Sequence, residues 1–201
     1  MQAFKELNGK IIPLAMKNVD TDMIIAAQYL TQINRDGYGA YLFKRLKEND
    51  AQFVFNQPQY DDATILLSQT NFGCGSSREH AVWALQQAGI KVIIAESFSD
   101  IFFNNAAKNG LLLITLASEK INFLLQAAAK NHLTATVALE KQTIIIANQI
   151  YSFEYDAFRK TCLLNGYDDM DYLLNAIEKI AAYEKQHRVF LGEKKIGEQP
   201  T

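Results

Sequence analysis

Between residues 64 and 116 the chain alternates short apolar runs with longer amphipathic ones, and this rhythm limits the fold more than any other feature. Residues 64–68, 91–95 and 111–116 read as buried strands. Residues 77–88 and 99–109 read as helices, stopped by Gly89 and Gly110. Three strands separated by two helices in so short a span imply right-handed crossovers, and hence a parallel sheet.

The flanks add to this unit without repeating it. Residues 11–16 read as a strand, 18–22 as a polar turn, and 23–30 as a short helix that Asp22 could cap. Tyr38, Tyr41, Leu42 and Leu46 fall at helical spacing over 38–47, with Lys44, Arg45 and Lys47 suited to a helix C-terminus. A helix is expected over 119–130. Strands at 134–139, 143–147 and 150–153 follow, so closely spaced that they must pair antiparallel. Met170, Leu173, Leu174, Ile177 and Ala181 then line one face of a single amphipathic helix. The expected class is α/β: one domain over residues 1–186 with a mixed, partly parallel sheet flanked by helices, and a loose polar tail over 187–201.

Charge and cysteine content exclude several functions. A net charge of −2 over 201 residues, without a long basic run, argues against nucleic acid or an anionic membrane as partner. No apolar window approaches the roughly 18 residues of a spanning helix, and no signal peptide is readable at the N-terminus. Two cysteines, Cys74 and Cys162, make neither a disulfide framework nor the three or four ligands usual for an iron–sulfur cluster. A reducing cytoplasm fits best.

The chemistry is concentrated in Asn71-Phe72-Gly73-Cys74-Gly75-Ser76-Ser77-Arg78-Glu79-His80, which joins a predicted strand to a predicted helix. Gly73 and Gly75 allow a tight turn and close approach to a ligand. Ser76 and Ser77 fall near the helix N-cap, where unpaired amides and the positive end of the helix dipole favour an anion. Arg78 adds a planar fork that matches a carboxylate. A purely structural glycine turn with Ser77 as cap fits the spacing equally well, and the phosphate and dinucleotide signatures are incomplete. Cys74 is read as packing or redox-sensitive in preference to a ligand. His80 is read as support for the loop, one helical turn from Ser77, and Asp20 and Asp22 as caps in preference to metal ligands.

Residues 72–80 resemble the Gly-x-Gly-Ser-Ser-Arg-Glu-His signature of the mobile, or swivel, domain of the aconitase superfamily. The resemblance extends to Asn18–Leu30, with its Asp-Thr-Asp, and to the Gly-aromatic-Gly and Leu-Phe pattern of residues 37–43. It also takes in the Ser-Phe-x-Asp-Ile-Phe…Gly-Leu-Leu pattern of 97–112 and the Asp156–Gly166 region of bacterial small subunits. Met23 and Ala26 replace the family's usual glutamine and proline.

The resemblance implies a swivel-type β/β/α domain serving as the small subunit of a two-protein hydro-lyase. It implies a hydroxy-dicarboxylate substrate, with isopropylmalate favoured over homoaconitate, citraconate and dimethylmalate. Ser76 takes the role of catalytic base; Gly75, Ser77 and Arg78 bind substrate, and Arg35 is a second carboxylate ligand. A [4Fe–4S] cluster is expected in the large-subunit partner, with no metal or cofactor held by this chain. From a different class, a non-catalytic anion-binding regulatory module could reuse the same fold.

Overall fold

The computed structural model describes residues 1–30 and 36–187 and divides the chain into two units, Met1–Tyr167 and Asp168–Thr201. The first unit is built on a seven-stranded sheet. Its strands are β1 (Glu6–Pro13), β2 (Ile65–Leu67), β3 (Val92–Ala95), β4 (Leu112–Thr115), β5 (Thr134–Ala138), β6 (Thr143–Ile146) and β7 (Gln149–Ser152), in spatial order β4-β3-β2-β1-β5-β6-β7. The β1–β2, β2–β3 and β3–β4 pairs are parallel; β1–β5, β5–β6 and β6–β7 are antiparallel.

The sequence pattern explains where each half of the sheet sits. Side chains alternate across a strand, so a run that is apolar throughout must be covered on both faces. Ile12, Leu66, Ile93 and Leu113 join one core together with Ala81, Val82 and Leu85 of α3 (Glu79–Gln87) and Phe102 and Ala106 of α4 (Asp100–Asn109). Their strand neighbours Ile11, Ile65, Val92 and Leu112 point the other way, into a second core completed by Ile121, Leu124 and Leu125 of α5 (Ser118–Lys130). In the antiparallel half, Val137, Ile144, Ile146 and Tyr151 join that second core, while Ile145 and Ile150 on the opposite face remain exposed.

Several local expectations shift. β1 begins at Glu6 because Leu7-Asn8-Gly9-Lys10 pairs with β5; Asn8 even donates from Nδ2 to Thr136 Oγ1 at 2.8 Å. The expected helix over 23–30 is reduced to α1 (Thr21–Ile24), capped by Asp20, whose Oδ1 accepts from Met23 N at 2.7 Å, and a turn of 3-10 helix over Ala27–Tyr29. The expected helix over 38–47 is broken at Phe43, buried and left-handed at φ 51°, into a 3-10 turn, Tyr38–Tyr41, and α2 (Lys44–Asn49). The Asp156–Gly166 region forms α6 (Ala157–Asn165), capped by Asp156 and closed by the left-handed Gly166.

In the second unit the expected single helix divides at Ala176 into α7 (Asp169–Asn175) and α8 (Ile177–His187). Asp168 opens α7 with a reciprocal capping box to Asp171.

Candidate functional site

The Gly-Ser-Ser-Arg loop leaves the carboxyl end of β2, where parallel α/β sheets open a crevice. Its first half is stitched on both sides. Phe72 is fully buried, donates from its N–H to Ser97 O (3.0 Å) and accepts at its carbonyl from Ser99 N (3.1 Å). Gly73 N donates to Val19 O at 2.7 Å, and Thr21 N to Cys74 O at 2.9 Å. Side chains reinforce the frame: Ser99 Oγ donates to Gly73 O (2.6 Å), Ser97 Oγ accepts from Asn71 N (2.8 Å), and Asn71 Nδ2 donates to Asn18 Oδ1 (2.8 Å). The segments after β1 and β3 thus clamp the loop between them, which fixes where residues 75–78 emerge.

Gly73 is required by space. A Cβ there would lie 2.2 Å from Phe102 Cγ, and its φ of +74° already disfavours a side chain. Gly75 has φ +88° but no clash, a Cβ there making ordinary contact with Asp20 Cβ at 3.5 Å. The turn at Gly75 therefore answers to backbone conformation, and beyond it Ser76 and Ser77 are exposed.

α3 begins at Glu79, with Arg78 as N-cap and no side-chain cap. The expected helix start at residue 77 is thus two residues early, and neither serine caps it. Ser76 and Ser77 instead precede the uncapped positive end of a nine-residue helix. The buried Thr21 reaches Ser76: its Oγ1 donates to Ser76 O at 2.8 Å and stands 3.5 Å from Ser76 Oγ. The second separation exceeds the usual O–H···O range, so the carbonyl contact does the anchoring.

Arg78 lies beside Asp22. Its Nη1 donates to Asp22 Oδ1 at 2.6 Å and to Ile25 O at 3.1 Å, and its side chain is only 18% exposed. Arg45 Nη1 donates to the other oxygen, Asp22 Oδ2, at 2.9 Å. Phe43 N bonds Ile24 O at 2.9 Å and so brings the start of α2 against α1. The hydrogen bond from Arg78 holds the Asp22 carboxyl below the ordinary carboxylate range, with Ala27 N and the charges of Arg78 and Arg45 acting the same way against a partial cost of burial.

Gly75, Ser76, Ser77 and Arg78, consecutive in the chain, lie between β2 and α3, while Arg35 lies outside the described residues. Thr21, Asp22 and Arg45 are additions that residue spacing did not single out as site residues. His80 packs edge-on against Tyr38 (5.1 Å) and Trp83 (4.7 Å), and Glu79 accepts from Asn109 Nδ2 at 2.8 Å. Burial and then the nearby Asp20 push the Cys74 thiol up. Cys162 is buried in α6. Among the described residues no group of three His, Cys, Asp or Glu could hold a metal, so the donor set does not fit an iron–sulfur cluster. No described helix is long and apolar enough to cross a membrane.

Known proteins resemble the chain along most of its length. Residues 1–119 match the family model described as the Aconitase C-terminal domain. A 3-isopropylmalate dehydratase small subunit from Francisella philomiragia is 56% identical over 188 residues, 94% of this chain and all of that protein. One from Buchnera aphidicola is 47% identical over 203 residues, 97% of this chain and 98% of that protein. A crystal structure of 3-isopropylmalate dehydratase from Methanocaldococcus jannaschii superposes with a TM-score of 0.65 at 28% identity, covering 90% of this chain and 99% of that one.

Proposed function

The chain belongs to the Aconitase C-terminal domain family, among the 3-isopropylmalate dehydratase small subunits, and from that premise we propose that it works with a large subunit to interconvert 2- and 3-isopropylmalate. The reaction is dehydration followed by rehydration, a step of leucine biosynthesis, and the setting is cytoplasmic. The observation that carries this reading is that exposed Ser76 and Ser77 stand next to the part-buried Arg78, between the carboxyl end of β2 and the start of α3.

Each step of the reaction makes a demand on these residues. Dehydration removes a proton from carbon beside a carboxylate, a very weak acid, so the base must be strong and held in place. Ser76 acts as that base in its ionised form. The uncapped N-terminus of α3 and the Arg78 guanidinium favour the negative oxygen, and Thr21 anchors the Ser76 carbonyl. Arg78 and Ser77 take a substrate carboxylate, Gly75 lets the backbone approach it, and Arg35 is a second carboxylate ligand. Loss of the hydroxyl calls for a Lewis acid. A [4Fe–4S] cluster in the large subunit supplies it, since the donors of this chain do not fit one.

The test is reconstitution. Purified chain, cluster-loaded large subunit and their mixture are each given 3-isopropylmalate, and the ultraviolet absorbance of the unsaturated intermediate is followed. Absorbance should rise only in the mixture, and faster than with the saturated hydroxy acid that each rival reaction (homoaconitate, citraconate or dimethylmalate type) would dehydrate. Equal rates from the large subunit alone contradict the proposal.

A further inference from the structure

We propose that Asp22 is a positioning residue that presets Arg78 for the substrate carboxylate, an inference that rests on Arg78 being a carboxylate ligand. A guanidinium carries five N–H donors on a rigid plane. In this structure both acceptors that touch Arg78, Asp22 Oδ1 and Ile25 O, lie on the same nitrogen, Nη1. Nη1 has two hydrogens, so these contacts use it up. Among the described residues nothing bonds Nε or Nη2, and these two form the edge that grips a carboxylate side-on with two parallel hydrogen bonds. One edge is tied and the other is left open.

Such an arrangement lowers the cost of binding. A free arginine side chain must give up several rotamers to hold a ligand bidentately, whereas one pinned at its tip has already done so. The second cation matters too. An Asp22–Arg78 pair alone would be neutral and a poor lure for a dianion. Arg45 on the other carboxylate oxygen leaves the three groups with a net charge of one positive unit, and it competes for Asp22 without touching the open edge. Asp22 thus orients Arg78 while the site stays cationic.

The experiment uses the full chain assembled with its large subunit, in wild-type form and as Asp22→Asn, Arg78→Lys and the double variant. Asparagine keeps the shape and the acceptor for Ala27 N but loses the charge that grips Nη1. Asp22→Asn should raise KM for isopropylmalate about tenfold with kcat within about threefold, a charge-assisted hydrogen bond being the interaction lost. A role confined to folding would reduce the active fraction, and so apparent kcat, with KM unmoved. The double variant should raise KM no further than Arg78→Lys, because Asp22 acts through Arg78. An unchanged or lower KM in Asp22→Asn, or additive effects in the double variant, overturns the proposal while leaving Arg78 as ligand. An unchanged KM in Arg78→Lys removes the ligand reading and the proposal with it. If Asp22→Asn does not assemble, the free chain decides: Arg78 guanidinium nitrogens should show slowed rotation by NMR in the wild type and averaging in the variant, and averaging in both overturns the proposal.

Discussion

Gly73→Ala and Gly75→Ala should separate two physical reasons for glycine in one loop. Both positions have positive φ, +74° and +88°, so each alanine incurs the left-handed penalty, roughly 1–2 kcal/mol. Only at residue 73 does the new methyl collide with a neighbour, at 2.2 Å from Phe102 Cγ and 2.6 Å from its Cβ. Phe102 is 1% exposed and sits in the core shared by α3, α4 and the sheet, so its ring cannot swing into solvent. Overpacking of this kind adds roughly 1–3 kcal/mol, giving a total of about 2–5 kcal/mol for Gly73→Ala against about 1–2 for Gly75→Ala. Urea denaturation followed by the fluorescence of the single tryptophan, Trp83 on α3, reads the first unit directly. Equal losses for the two variants would refute the assignment of Gly73 to close packing.

Three further outcomes follow from the same geometry. Ser99→Ala should cost about 1–2 kcal/mol in urea denaturation, since it removes both the cap on Phe102 N and the donor to Gly73 O. Tyr155→Phe should leave stability unchanged or raise it by about 1 kcal/mol, because the buried Tyr155 hydroxyl has no hydrogen-bond partner among the described residues and burial pushes its pKa up; a clear loss would mean that the hydroxyl is paired. The Asp22 carboxyl, followed by carbon NMR, should titrate below the ordinary carboxylate value and move up towards it in Arg78→Gln. A folded pKa below the unfolded one means that the pair's contribution is complete above the unfolded value and is lost as pH falls through the folded one, so weakening under acid is the expected sign.

The two halves of the sheet were legible to different degrees for one reason. Ile65–Leu67, Val92–Ala95 and Leu112–Thr115 are covered on both faces, so their unbroken apolar runs mark them. The first half of β1, residues 6–10, is less apolar, so the pattern marks a strand only from residue 11, and the rest shows itself through pairing with β5. The helix expected over 38–47 failed at Phe43, where burial and the bond to Ile24 O override local spacing. Likewise, the site loop was visible because Gly75, Ser76, Ser77 and Arg78 are adjacent in the chain. The Asp22 role was not, because its partners lie 23 and 56 residues away and its place in the chain suits a helix cap equally well. The feature that could have exposed it is a polar Asp-Thr-Asp at the carboxyl side of a parallel strand, where binding residues collect.

The central claim is that Ser76 removes the carbon-bound proton. The most direct measurement is kcat for Ser76→Ala in the assembled complex, with KM determined alongside. Loss of an oriented general base predicts a fall of roughly 10²–10⁴-fold in kcat with KM little changed. A kcat within about threefold of wild type would contradict it and return Ser76 to the role of a loop residue.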